Sequence, residues 1–154
     1  MQRNFLNVLS ATSAVSLVAG GLVFATGAQA KMTTLTFVEH AATDTPIDTG
    51  EKGDSTGDLL TFANEVFDAQ DKKKVGSDSG WCIRVVAGKS YECFWTLTLA
   101  DGQITVEGPF LDAGDSVVAV TGGTGKYEGV RGEMALHARD AKGSAYDFKY
   151  SLMR

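Results

Sequence analysis

The sequence predicts an all-β fold, an eight-stranded antiparallel β-barrel preceded by a signal peptide. Three observations carry that prediction. Apolar and polar residues alternate at period two along the chain, and helical periodicity is scarce. The alternating runs are separated by short connections rich in Gly and Asp, with 18 Gly and only 2 Pro in 154 residues. Finally, Met1–Ala30 has the makeup of an export signal.

In that first segment Arg3 provides the positive start, and Val8–Ala25 carries no charge. Ala28-Gln29-Ala30 is a small-x-small cleavage site, so the cut is placed before Lys31. A membrane anchor is the rival reading. Ser10, Thr12, Ser13, Ser16, Gly20 and Gly21 interrupt the apolar stretch, and no cationic stop-transfer cluster follows it. Residues 1–30 are therefore read as a signal peptide and 31–154 as one domain that is secreted or periplasmic. After cleavage no segment is long and apolar enough to span a bilayer as a helix. With a formal net charge of −5, a nucleic-acid surface is not expected.

The strands follow in order. Thr33–Glu39 is β-prone. Thr43–Gly57, rich in Thr, Asp and Gly, reads as a loop. Asp58–Phe67 is a strand with apolar residues on both faces, and Asp68–Lys74 a charged turn. Gly80–Ala87 and Tyr91–Ala100 flank a hairpin turn at Gly88-Lys89-Ser90. Asp101-Gly102 turns the chain into Gln103–Gly108. Ser116–Thr121 runs into Gly122-Gly123-Thr124-Gly125, read as a tight turn. Arg131–Arg139 and Ser144–Met153 flank Asp140–Gly143. A meander of this kind closes most economically into a barrel, which removes exposed edges. A sandwich is the structural rival. An eight-stranded barrel has room for packed side chains or for one small ligand.

Several motifs fail their tests. Gly122–Lys126 is not a phosphate loop, because Val120 stands where Gly is needed and Tyr127 where Ser or Thr is needed. Glu128 takes the place of the third Gly of a dinucleotide fingerprint. Asp44, Asp48, Glu51, Asp54 and Asp58 lack EF-hand spacing and read as a solvated acidic loop. His40 and His137 read as surface or barrel-wall residues. No metal site is expected. Cys82 and Cys93 stand symmetrically about the Gly88 turn. Export and symmetry favour a disulfide, which would add about 2–3 kcal/mol. A free thiol lining the barrel is the alternative.

The run Gly57-Asp58-Leu59-Leu60-Thr61-Phe62-Ala63-Asn64, then Val75-Gly76, Gly80-Trp81-Cys82, Gly108-Pro109-Phe110-Leu111, Val120–Gly129 and Arg131-Gly132, resembles the allene oxide cyclase and dirigent superfamily. The likeness covers nearly all of residues 31–154 and is to an exported, bacterial-type member. It implies an antiparallel barrel, often a homotrimer, whose cavity holds an apolar oxylipin or phenolic intermediate without any cofactor. Confinement to one conformer and exclusion of water would do much of the work.

Residue by residue, the resemblance implies the following. The cyclase Asn that holds a water against the epoxide oxygen matches Asn64, and the cavity-wall Cys matches Cys82. The first-strand Glu matches Glu39 across a small gap, and the loop Pro matches Pro46. The Tyr of the Gly-Pro-Tyr segment is Phe110 here, which keeps the ring, loses the hydroxyl and counts against allene oxide specificity. Trp95 and Phe110 would shape the wall. By strand geometry rather than by the resemblance, Arg84 shares a face with Cys82 in a regular strand, and an inward Arg84 needs a partner such as Glu39; a bulge or an outward Arg84 is the equal alternative. Two functions stay open. One is an isomerase or stereocontrol protein with Glu39 as base and Asn64 orienting a water or oxyanion. The other is a non-catalytic barrel that binds a small molecule or only packs its own core.

Overall fold

The computed structural model describes residues 31–154, so the expected signal peptide lies outside the described residues. Nine strands form among the described residues: β1 (Met32–His40), β2 (Thr45–Ile47), β3 (Leu59–Asp68), β4 (Lys74–Val86), β5 (Ser90–Leu99), β6 (Gly102–Leu111), β7 (Ser116–Gly125), β8 (Arg131–Ala138) and β9 (Ala145–Met153). No helix occurs among the described residues. The strands pair antiparallel in the order β1-β9-β8-β7-β6-β5-β4-β3, and β1 pairs with β3 as well, so the sheet closes into the expected eight-stranded barrel. The three-residue β2 pairs with β3 beyond the point where β1 leaves it.

Alternation explains the closure. On β9, Phe148, Tyr150 and Leu152 are buried. On β5 and β6 the buried residues are Cys93, Trp95, Leu97, Ile104 and Val106. Met134, Leu136, Val118 and Val120 complete the ring from β7 and β8. Each such side chain contributes about 1.5–3 kcal/mol, as an upper figure. The seam holds because β1 pairs with β9 over its whole length, from Met32↔Met153 to His40↔Ala145.

Three local expectations change. The loop after β1 contains β2. Strand β4 starts at Lys74, not Gly80; Gly76, Ser77, Asp78 and Ser79 are all paired. Their composition is poor in β-formers, but the packing demands small residues. A Cβ at Gly80 would stand 2.3 Å from Phe94 O and 2.4 Å from Trp95 Cβ, so Gly80 leaves the space that Trp95 fills. The run Gly122–Gly125 is strand, not turn, and pairs with β6. A Cβ at Gly123 would lie 2.5 Å from Tyr127 O. The turn itself is Lys126–Gly129.

Candidate active site at one end of the barrel

Glu39 is the last inward residue of β1. It sits between Val66 of β3 and Tyr146 of β9 and is 5% exposed. Past His40 the ladder is interrupted: Ala41–Asp44 runs against Phe62–Asn64, one residue more on the outer chain, as in a bulge. Asn64 fills the gap. Its Oδ1 accepts from Thr43 N (3.0 Å) and Thr43 Oγ1 (2.9 Å). Its Nδ2 donates to Glu39 Oε1 (2.7 Å) and Asp44 Oδ1 (2.8 Å). The backbone N of Ala63 donates to Thr43 Oγ1 at 2.8 Å. A carboxamide offers two donors and two acceptor sites, and here all are filled. Asn64 therefore has no capacity left for a water or oxyanion. It holds Glu39 instead.

Asp78 was not anticipated. It pairs with Asn64 across β3–β4 and with Leu97 across β4–β5, is 1% exposed, and has no well-formed hydrogen bond to either carboxyl oxygen. Burial first, then the charge of Glu39, pushes its carboxyl up to about 9. Burial also pushes Glu39 up to about 7, against the opposing hydrogen bond from Asn64. The two carboxyls titrate as a pair. Near neutral pH, Asp78 is the member of the pair that keeps its proton, because its burial and the charge of Glu39 both raise it. The buried Tyr150 hydroxyl has no partner among the described residues, and its pKa is held well above the ordinary value by burial, Asp78 and Glu39. Tyr146 is pushed up to about 12, by burial and then by Asp44 and Glu39.

Above Glu39 lies a cavity of about 40 Å³, walled by Asp44, Leu60, Phe62, Cys82, Cys93, Trp95, Phe110, Leu136, Tyr146 and Phe148. This volume suits a water or two. Past Phe110, Leu136 and Tyr146, an open depression of about 390 Å³ continues over Asp112, Ala138 and the Asp140–Gly143 turn. The Phe110 and Tyr146 rings meet edge to face at 5.9 Å. Trp95 lies 6.2 Å from both Phe62 and Phe148, and its indole N–H has no acceptor among the described residues.

The other anticipated residues divide. Trp95, Phe110 and the Cys82–Cys93 pair line the cavity. The two cysteines face each other across β4–β5 and are bonded, which replaces the free-thiol alternative. Arg84 is buried but does not pair with Glu39. Its Nη1 donates to Asp112 Oδ1 at 2.6 Å, its Nε stands 2.6 Å from Asp54 Oδ1 as an ion pair, and its guanidinium lies 3.6 Å over the Tyr91 ring. Asp54 of the acidic loop and Asp112 after β6 supply its counter-charge. Pro46 is exposed on β2 and lies with Arg84 beside a separate depression of about 470 Å³. Among the described residues, no three His, Cys, Asp or Glu side chains converge on a metal position.

Reasoning from sequence missed Asp44, Asp78, Tyr146 and Tyr150 as site residues. For Asp78 a signal existed: counting back by twos from Cys82 reaches Gly80 and then Asp78 on the same face. Its Gly- and Ser-rich neighbours concealed it as a connection.

The family described as allene oxide cyclase matches residues 30–149. Among solved structures, a pyocyanin demethylase superposes with a TM-score of 0.66 at 26% identity, covering 78% of this chain and 99% of its own. A pterocarpan synthase dirigent protein does so with a TM-score of 0.63 at 17% identity, over 80% and 94% of the two chains. An exo-specific intermolecular Diels-Alderase gives 0.66 at 14% identity, over 80% and 99%. The last two likenesses are of fold.

Proposed function

The chain belongs to the allene oxide cyclase family, and from that premise we propose that it binds an apolar small molecule at the barrel mouth and directs its cyclisation or isomerisation, with Glu39 moving a proton or steadying developing charge. One observation carries this reading. A buried carboxyl faces an apolar cavity, is held in place by Asn64, and is pushed up to about 7. A base that titrates near neutral pH combines availability with driving force. A ligand seated between the aromatic walls would displace the water from it. The chemistry uses the protein's own carboxyls and calls for no cofactor. The similar structures named for a demethylase, a dirigent protein and a Diels-Alderase support small-molecule chemistry on this scaffold.

Two further expectations belong with it. The disulfide supports a secreted or periplasmic location. The exposed Trp81, Ile83 and Val85 on the outer face of β4 support self-association, for which a homotrimer is the expected form.

A second reading, a barrel that binds without turnover or only packs its own core, is favoured by the saturated Asn64 and, for the packed core, by the small inner cavity. The experiment presents the protein with a freshly generated allene oxide as its methyl ester and measures the handedness of the cyclopentenone product. An excess of one enantiomer that disappears in Glu39→Gln is the expected result. Racemic product at every protein concentration would remove cyclisation of this substrate, and undiminished selectivity in Glu39→Gln would remove the role of Glu39.

A further inference from the structure

We propose that this cavity selects a planar aromatic molecule that is cationic or basic, and turns away anionic ones. The inference rests on the small-molecule reading above and narrows its ligand to an apolar ring system that carries one positive centre.

The walls present aromatic rings, with Trp95 set between Phe62 and Phe148, and Phe110 against Tyr146. Flat rings stack on such walls, and a positive centre is attracted to their faces. The charges point the same way. Glu39 comes from β1, Asp44 from the loop after it, and Asp78 lies beneath on β4. Tyr146 from β9 and Tyr150 are neutral. No Lys, Arg or His lines the cavity. Arg84 is already held by Asp54 and Asp112 and stacked on Tyr91, and His40 and Arg139 are both paired with Asp71 on the outside of the barrel. In the outer depression Asp112 and Asp140 stand against Lys142 alone. A carboxylate entering here would be desolvated beside like charge with no partner. A cation would supply the missing counter-charge.

Size sets the pose. The inner space of about 40 Å³ takes only one edge of a ring system, such as an N–H or N–CH₃ group, and the outer depression of about 390 Å³ takes the remainder. The positive edge then lies over Glu39. A positive charge there favours the carboxylate, so binding releases the Glu39 proton to solvent.

Three two-ring probes of nearly one shape test this: N-methylquinolinium, methylnaphthalene and naphthoate. Each is titrated into the protein at fixed ionic strength, by calorimetry in buffers of different ionisation enthalpy, so that proton release is counted. The expected order is cation, then neutral, then anion, with the cation at least about tenfold tighter than naphthoate. Below neutral pH its binding is accompanied by proton release. The preference should shrink in wild type as pH falls to about 5, where Glu39 is protonated. It should also shrink in Glu39→Gln/Asp44→Asn, and persist in Glu51→Gln/Glu92→Gln, which removes exposed charge elsewhere. Naphthoate binding as tightly as the cation, or a preference that survives both acid and the Glu39/Asp44 double variant, would overturn the inference. If none of the three probes binds while the allene oxide ester still does, the inference falls and the small-molecule reading stands; if that ester fails as well, both fall.

Discussion

Asn64 Nδ2 donates to Glu39 Oε1 at 2.7 Å, and the remaining donor and acceptors of that amide are occupied by Thr43 and Asp44. One side chain thus closes the gap in the β1–β3 ladder and orients the buried acid. Structure and chemistry meet at this residue, which determines how a change there will read out.

Asn64→Leu removes the donor to Glu39 and the patch for Thr43. Stability should fall by about 1–3 kcal/mol, because buried polar partners are left unpaired. The Glu39 midpoint should rise, since a hydrogen bond that favours its charged form is lost. Denaturant titration and carboxyl carbon NMR measure the two effects; a Glu39 midpoint that stays put would contradict the assignment.

Asp78 and Glu39 both have pKa values raised by folding. The unfolded chain gives up these protons near the ordinary carboxylate range, while the folded chain keeps them. The stability they contribute is therefore fully present below about pH 4, and is lost as pH rises through about 7 and then about 9. Asp78→Asn keeps the shape of the side chain and removes one of these titrations. Relative to wild type, the variant should gain stability from acid to alkaline pH, by on the order of a few kcal/mol. Parallel stability–pH curves for the two proteins would show that Asp78 is not buried as a protonated acid.

Arg84 joins the acidic loop, through Asp54, to the start of the β6–β7 turn, through Asp112. The two carboxylates are partly exposed, so screening limits the value of the cluster. Arg84→Met should cost about 1–2 kcal/mol and make the Asp48–Asp58 loop more susceptible to protease. Arg84→Lys should recover little, since an ammonium cannot bridge two carboxylates and stack on Tyr91 together. Unchanged proteolysis of that loop in Arg84→Met would argue that other contacts secure it.

Cys82 and Cys93 are bonded across the first long hairpin. Replacing both with Ala should lower stability by about 2–3 kcal/mol. A wild-type protein whose thermal midpoint is the same with and without reductant would speak against the bond in solution.

What the sequence by itself determined is local. The alternation of Tyr146, Phe148, Tyr150 and Leu152 assigned a face to β9, and the Gly88 turn put Cys82 opposite Cys93; the structure has both. Both depend only on a period of two and a turn position, so nearby residues suffice to read them. The family was legible for a related reason, since its motifs lie within short runs.

The site itself was decided by closure of the barrel. Glu39 meets Asn64 because β1 pairs with β3, and it meets Tyr146 because β1 pairs with β9. Arg84 found Asp54 and Asp112 through loops that fold over the same end. Partners this distant along the chain leave no local pattern. A carboxyl's affinity for its proton depends on burial and on charges within a few ångströms, and these exist only once the sheet has closed on itself.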